Sequence, residues 1–145
     1  MGKLTKSIEI EASPEEVFNF INDTEKMNKA HGGLTKGEYT SKGPVGVGSI
    51  MHMVGTQSGS KMEFDMEVTE FVKNKKVTTH TDKPSKMTNS LILEPTDKGT
   101  KLTHEMEYEM PYSILGKVID KLKVSKNLRK EMDVWLPNAK QALEA

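Results

Sequence analysis

The residues best suited to proton chemistry are four histidines, at positions 31, 52, 80 and 104. An imidazole with its ordinary pKa near 6.5 takes up or gives up a proton close to neutrality. None of the four stands in an HExxH or other closely spaced ligand pattern, so a zinc site has no support. There is no cysteine, which excludes disulfides, thiolate ligands and a thiol nucleophile. His104 is set apart by its surroundings. In KLTHEMEYEM, residues 101–110, Leu102, His104, Met106, Tyr108 and Met110 share one parity, and Lys101, Thr103, Glu105, Glu107 and Glu109 share the other. Period two makes this a strand with a wet face and an inner face. His104 is therefore the candidate for acid or base work, set against the plainer reading that a buried histidine only bonds a neighbour. The acidic parity, with Glu63, Asp65 and Glu67 of another strand, reads as a solvated outer face rather than a cation site. No GxSxG motif is present, and GPVGVGS, residues 43–49, lacks the lysine of a phosphate-binding loop, so its glycines are turn makers.

These side chains are positioned by a simple order of elements. LTKSIEIEA alternates as a strand, and a helix start follows: Ser13 as cap, Pro14 at the first helical position, Glu16 completing a capping box ahead of Val17, Phe18, Phe20 and Ile21. Asp23 caps a second short helix, TEKMNKA, which stops at Gly32-Gly33. Residues 34–111 alternate in short runs separated by turn chemistry, an antiparallel meander. One strand sets Met62, Phe64, Met66 and Val68 against Glu63, Asp65 and Glu67, and another lines up Met87, Asn89, Leu91 and Leu93. In GSIMHMVG, either Ile50, His52 and Val54 or Met51 and Met53 face inward. After Pro111 the period becomes helical for about thirty residues. Ile114, Val118, Leu122, Ser125, Leu128, Met132, Leu136, Ala139 and Leu143 form one stripe, with Ser125 a gap in its middle and Pro137 predicting a kink near Trp135.

Composition narrows the function classes. The chain has 145 residues, the size of one domain, 1–145, with a core that needs no staples. Lys plus Arg and Asp plus Glu balance at 21 each, and only eight residues are aromatic (three Tyr, four Phe, one Trp), so nucleic acid is not an expected partner. No run of apolar residues is long enough for a signal peptide or a membrane span, which predicts a soluble, cytoplasmic protein. Ten methionines are an unusual apolar inventory, because Met is pliable and specifies packing poorly.

Strand, two short helices, six strands and a long last helix is the order of the helix-grip fold, an α+β architecture in which a seven-stranded curved antiparallel sheet wraps a carboxy-terminal helix. SIEIEASPEEVFNFINDTEKMNKA resembles the opening of the START-like (SRPBCC) superfamily, which includes polyketide cyclases and dehydratases and birch-pollen-allergen-like proteins. GPVGVGS, VTEFVKNKKV and NAKQALEA extend the resemblance over nearly the whole chain, while KMNKAHGGL replaces the Trp-Pro pair that members often carry after the second helix. The resemblance implies a cavity between sheet and last helix. It would be lined by Met62, Phe64, Met66, Met87, Asn89, Leu91, His104, Met106, Tyr108, Met110, Val118, Leu122, Ser125 and Arg129. Three functions are then open. The first is a non-catalytic carrier of a small hydrophobic or amphipathic molecule, without metal or cofactor. The second is a cyclase or dehydratase using His104 or Tyr108. The third is an accessory subunit, like the accessory group of carbon monoxide dehydrogenase in the same superfamily, docking on a membrane or protein through the basic stretch Lys117, Lys121, Lys123, Lys126, Arg129 and Lys130.

Overall fold

The computed structural model describes residues 2–32, 35–57, 60–83, 85–109 and 121–145, with the side chains of all of these except 56, 57, 60 and 121–123. The chain opens with strand β1 (Gly2–Ile10), followed by helices α1 (Pro14–Ile21) and α2 (Thr24–Ala30). Strands β2 (Thr35–Tyr39), β3 (Ile50–Gln57), β4 (Ser60–Val72), β5 (Lys76–Thr81), β6 (Met87–Pro95) and β7 (Thr100–Tyr108) follow, and helix α3 (Lys121–Glu144) closes the order. The caps form as the sequence dictates. Ser13 Oγ accepts from the Glu16 N–H at 3.2 Å, and Asp23 Oδ1 accepts from the Lys26 N–H at 3.1 Å. Each such cap stabilises its helix by about 1 kcal/mol.

The sheet runs β1-β7-β6-β5-β4-β3-β2, with every neighbouring pair antiparallel, so the first strand joins the last and the expected seven-stranded helix-grip architecture stands. A bulge between Val68 and Glu70 on β4 inserts one extra residue, and as a result both Val68 and Phe71 face the interior. The register settles the ambiguous strand β3. Met51 pairs with the inward Met66 and Met53 with the inward Phe64, which sends His52 outward to Asp65.

Much of the core gathers around α1 and the second half of α3. Val17, Phe18, Phe20 and Ile21 of α1 pack with Trp135, Leu136 and Ala139 of α3 and with Leu93 and Leu102 of the sheet, and Phe18 meets Phe71 edge to face at 5.2 Å. The carboxy-terminal end of α3 is tied to the first strand. Lys140 Nζ donates to the Glu9 carbonyl at 2.7 Å, and Glu144 accepts from the Glu11 N–H at 2.9 Å. Pro137 does not interrupt α3; it is exposed, where the carbonyl that loses its donor is open to water.

The facing of β7 holds with one exception. Leu102, His104, Met106 and Tyr108 are buried, but Thr103, expected on the wet face, is 8% exposed, the same as His104. Its hydroxyl bonds Ser7 at 2.9 Å, and a short side chain between cross-strand neighbours Ser7 and Ile92 is covered by the longer ones around it.

Candidate functional site

Between the sheet and the first half of the described α3 lies a partly open cavity of about 390 Å³. Its floor follows from the strand register. Met51 and Met53 of β3, Met62, Phe64 and Met66 of β4, Met87, Asn89 and Leu91 of β6, and His104 and Met106 of β7 all point to the concave side. Gly37 of β2 makes room for this wall: a Cβ there would lie 2.6 Å from the Met53 sulfur and 2.8 Å from the Met51 sulfur, so both thioethers fold over the bare backbone. Asn28 holds that glycine in place, accepting from its N–H at 2.7 Å and donating to its carbonyl at 3.2 Å. The roof comes from α2 and α3, through Met27, His31, Asn127, Leu128, Glu131 and Trp135.

A hydrogen-bonded chain closes the inner end. Trp135 Nε1 lies 3.1 Å from His104 Nδ1, and His104 Nε2 lies 2.8 Å from Asn89 Oδ1. An indole N–H only donates, so Nδ1 must accept, the ring proton must sit on Nε2, and Asn89 must turn its oxygen toward it. The imidazole is thereby fixed as one neutral tautomer with both nitrogens engaged. Burial, and secondarily the nearby His31, push its pKa down to about 3. A group so held has no lone pair or proton to offer a ligand at neutral pH.

A second polar cluster lies at the α2 end of the same cavity. His31 stacks on Trp135 with ring centroids 5.6 Å apart and planes 14° apart. Its Nδ1 is 2.8 Å from the Met27 carbonyl, and its Nε2 is 3.9 Å from Glu131 Oε1, which also accepts from the Thr35 hydroxyl at 3.3 Å. Tyr39 borders the same space, and burial raises its phenol pKa.

The family model described as polyketide cyclase / dehydrase and lipid transport matches residues 1–144. The chain belongs to that family. Among solved structures, this family member is similar to TTHA0849 from Thermus thermophilus, with 18% identity, TM-score 0.82, and coverage of 98% of this chain and 97% of that one. It is also similar to CV1439 from Chromobacterium violaceum (18% identity, TM-score 0.74, 99% and 98% covered) and to Ara h 8.0201 (11% identity, TM-score 0.73, 98% and 97% covered). At these identities the likeness establishes the fold alone. By sequence, none of the curated proteins matches.

Of the residues singled out in the sequence of this polyketide cyclase / lipid-transport family member, Met62, Phe64, Met66, Met87, Asn89, Leu91, His104 and Met106 border the cavity. Tyr108 does not. It is buried beyond the cavity's edge, its ring lying over Gly2 of β1, where a Cβ would come within 2.5 Å of it. Ser125 is half-buried but is not a lining residue either. Of the apolar stripe of α3, Leu128 borders the cavity, which otherwise follows the adjoining strip Asn127, Glu131 and Trp135; Ser125 sits about 80° around the helix from Trp135. Arg129 is exposed and away from the lining, as the solvated reading of a long basic side chain requires. Met110, Val118 and the side chain of Leu122 lie outside the described residues, as do Lys117 and the side chains of Lys121 and Lys123, while Lys126 and Lys130 are exposed.

Reasoning from sequence missed His31, Glu131 and Trp135 as cavity residues. Glu131 and Trp135 carried a legible signal, since Asn127, Glu131 and Trp135 recur every four residues beside the apolar stripe. His31 carried none, lying in an aperiodic turn. The other two histidines are on the outer face: His52 Nδ1 is 2.9 Å from Asp65, whose hydrogen bond raises the imidazole pKa, and His80 lies 2.9 Å from both Thr88 and Asp82. Among the described residues no cluster of His, Asp and Glu has the makings of a metal site, and no helix is long and apolar enough to cross a membrane.

Proposed function

We propose that this protein binds a small apolar or amphipathic molecule in the cavity between its sheet and α3, and that it acts as a binder or carrier rather than a catalyst working through His104. The single observation that carries the reading is the contrast within the cavity. Six methionines from four strands make a pliable, polarisable wall, while His104, the interior histidine marked for chemistry, is consumed by Trp135 and Asn89. A void of about 390 Å³ lies in the usual range of small-molecule sites, roughly 300–1,000 Å³.

Tyr108 does not rescue a catalytic reading, being packed over β1 and away from the cavity. The family description, which joins cyclase and dehydrase activity with lipid transport, is compatible with a carrier of this kind. The test uses Trp135, the single tryptophan of the chain and a lining residue. Titration with an apolar fluorophore should change Trp135 emission saturably with one site per chain, and native mass spectrometry should show the matching one-to-one complex. Emission that never saturates, with no complex in the spectrum, would rule out the proposed role.

A further inference from the structure

The two polar ends of the cavity differ in what they leave for a ligand. At the inner end the Trp135–His104–Asn89 chain is internally matched. At the other end His31 and Glu131 approach without meeting: 3.9 Å between Nε2 and Oε1 is too long for a hydrogen bond. The hydrogen inventory of that gap is determined by its neighbours. The Met27 carbonyl can only accept, so the hydrogen of a neutral His31 ring sits on Nδ1, and Nε2 presents a lone pair. Stacking on Trp135 holds the ring in this plane, and the Met27 bond fixes which edge it presents. Glu131, when ionised, likewise only accepts, and it already accepts from Thr35.

Asn28, which also borders the cavity, has both ends of its amide engaged by Gly37. Two acceptors thus face one gap, and an atom bonded to both must donate two hydrogens. A carboxylate donates none and is repelled by Glu131, and a hydroxyl donates one. A primary ammonium donates to both.

We propose that the His31–Glu131 gap is an amine-recognition subsite, selecting apolar ligands that carry a primary amine at their polar end. The inference rests on the reading of the cavity as a ligand site. Lys130, exposed at the cavity border, is the competing group, because it would favour a carboxylate instead.

The experiment compares three ligands with the same chain, dodecylamine, dodecanol and dodecanoate, in displacing a cavity-bound apolar fluorophore from the intact protein. It is run below their micelle concentrations at pH 8, where imidazole is ordinarily neutral and an alkylamine is still protonated. Dodecylamine should bind about tenfold tighter than dodecanol, with dodecanoate weakest, as two charge-assisted hydrogen bonds would give. In Glu131→Gln and in His31→Phe, which keeps a ring on Trp135, the amine-to-alcohol ratio should fall to within about threefold of unity. Equal affinities, dodecanoate binding best, or an unchanged ratio in both variants would overturn amine selection while leaving the carrier reading intact. Failure of all three to displace the fluorophore would also overturn amine selection, and failure of the fluorophore itself to bind would overturn both readings.

Discussion

Replacing Trp135 with Phe isolates the hydrogen bond that closes the inner end of the cavity. An aromatic ring remains between His31 and His104, but the indole N–H is gone, and His104 Nδ1, deep in the core, faces no donor. A buried acceptor left unpaired costs about 1–3 kcal/mol, and the smaller ring leaves a void worth about 1 kcal/mol more. The sum, about 2–4 kcal/mol, is a large share of the roughly 5–15 kcal/mol that holds a domain folded. For a chain of this length it lowers Tm by roughly 7–13 °C. Urea unfolding followed by far-ultraviolet circular dichroism measures the loss, since the variant has no tryptophan, and an unchanged m-value assigns the midpoint shift to stability. The decisive control is the same substitution on a His104→Phe background. There the Trp135 N–H has already lost its acceptor, and removing it should cost less than about 1 kcal/mol. If Trp135→Phe costs the same on both backgrounds, the indole acts through its bulk alone and the fixed tautomer of His104 is immaterial.

Other consequences concern pH and the cavity wall. His104 has its folded pKa lowered to about 3, so from its ordinary value near 6.5 down to about 3 the unfolded chain binds one more proton than the folded one. Stability should therefore fall on acidification through that window by up to about 1.4 kcal/mol per pH unit, and denaturation of His104→Gln between pH 7 and 4.5 should show a shallower slope. On the outer face, nuclear magnetic resonance should show His52 titrating above the ordinary histidine value and moving down in Asp65→Asn, because the Asp65 hydrogen bond is the leading cause of the shift. In Gly37→Ala the new methyl meets first the flexible side chains of Met53 and Met51, so thermal unfolding should register less than about 1.5 kcal/mol, while fluorophore affinity weakens as the displaced thioethers fill the cavity.

The fold was legible because its signals are local and repeated. Caps at Ser13 and Asp23, turn residues between alternating runs, and one change from period two to a helical period leave little choice of architecture. Half of the cavity was legible for the same reason: parity alone places Met66, Asn89, His104 and Met106 on one side of the sheet. What parity does not carry is register and rotation. Met51 and Met53 needed their pairing with β4 before an inward face could be assigned to β3. The apolar stripe of α3 gave the direction of the core, but only Leu128 of its described members borders the cavity, and the neighbouring Glu131 and Trp135 went unread. Tyr108 shared the parity of His104 but lies beyond the cavity's edge, a matter of position along the strand that period two does not encode.

The proposed binding site is tested most directly by the methionine methyls. Among the described residues, seven methionines, at 27, 51, 53, 62, 66, 87 and 106, border the cavity, whereas Met132 is buried in the core outside it. With carbon-13 in every methionine methyl, titration of the protein with dodecylamine should move the signals of the lining residues along one saturable curve and leave Met132 in place. Signals that stay fixed at saturating ligand, or that move at Met132 and not at Met51, Met66 and Met106, would contradict binding between the sheet and α3.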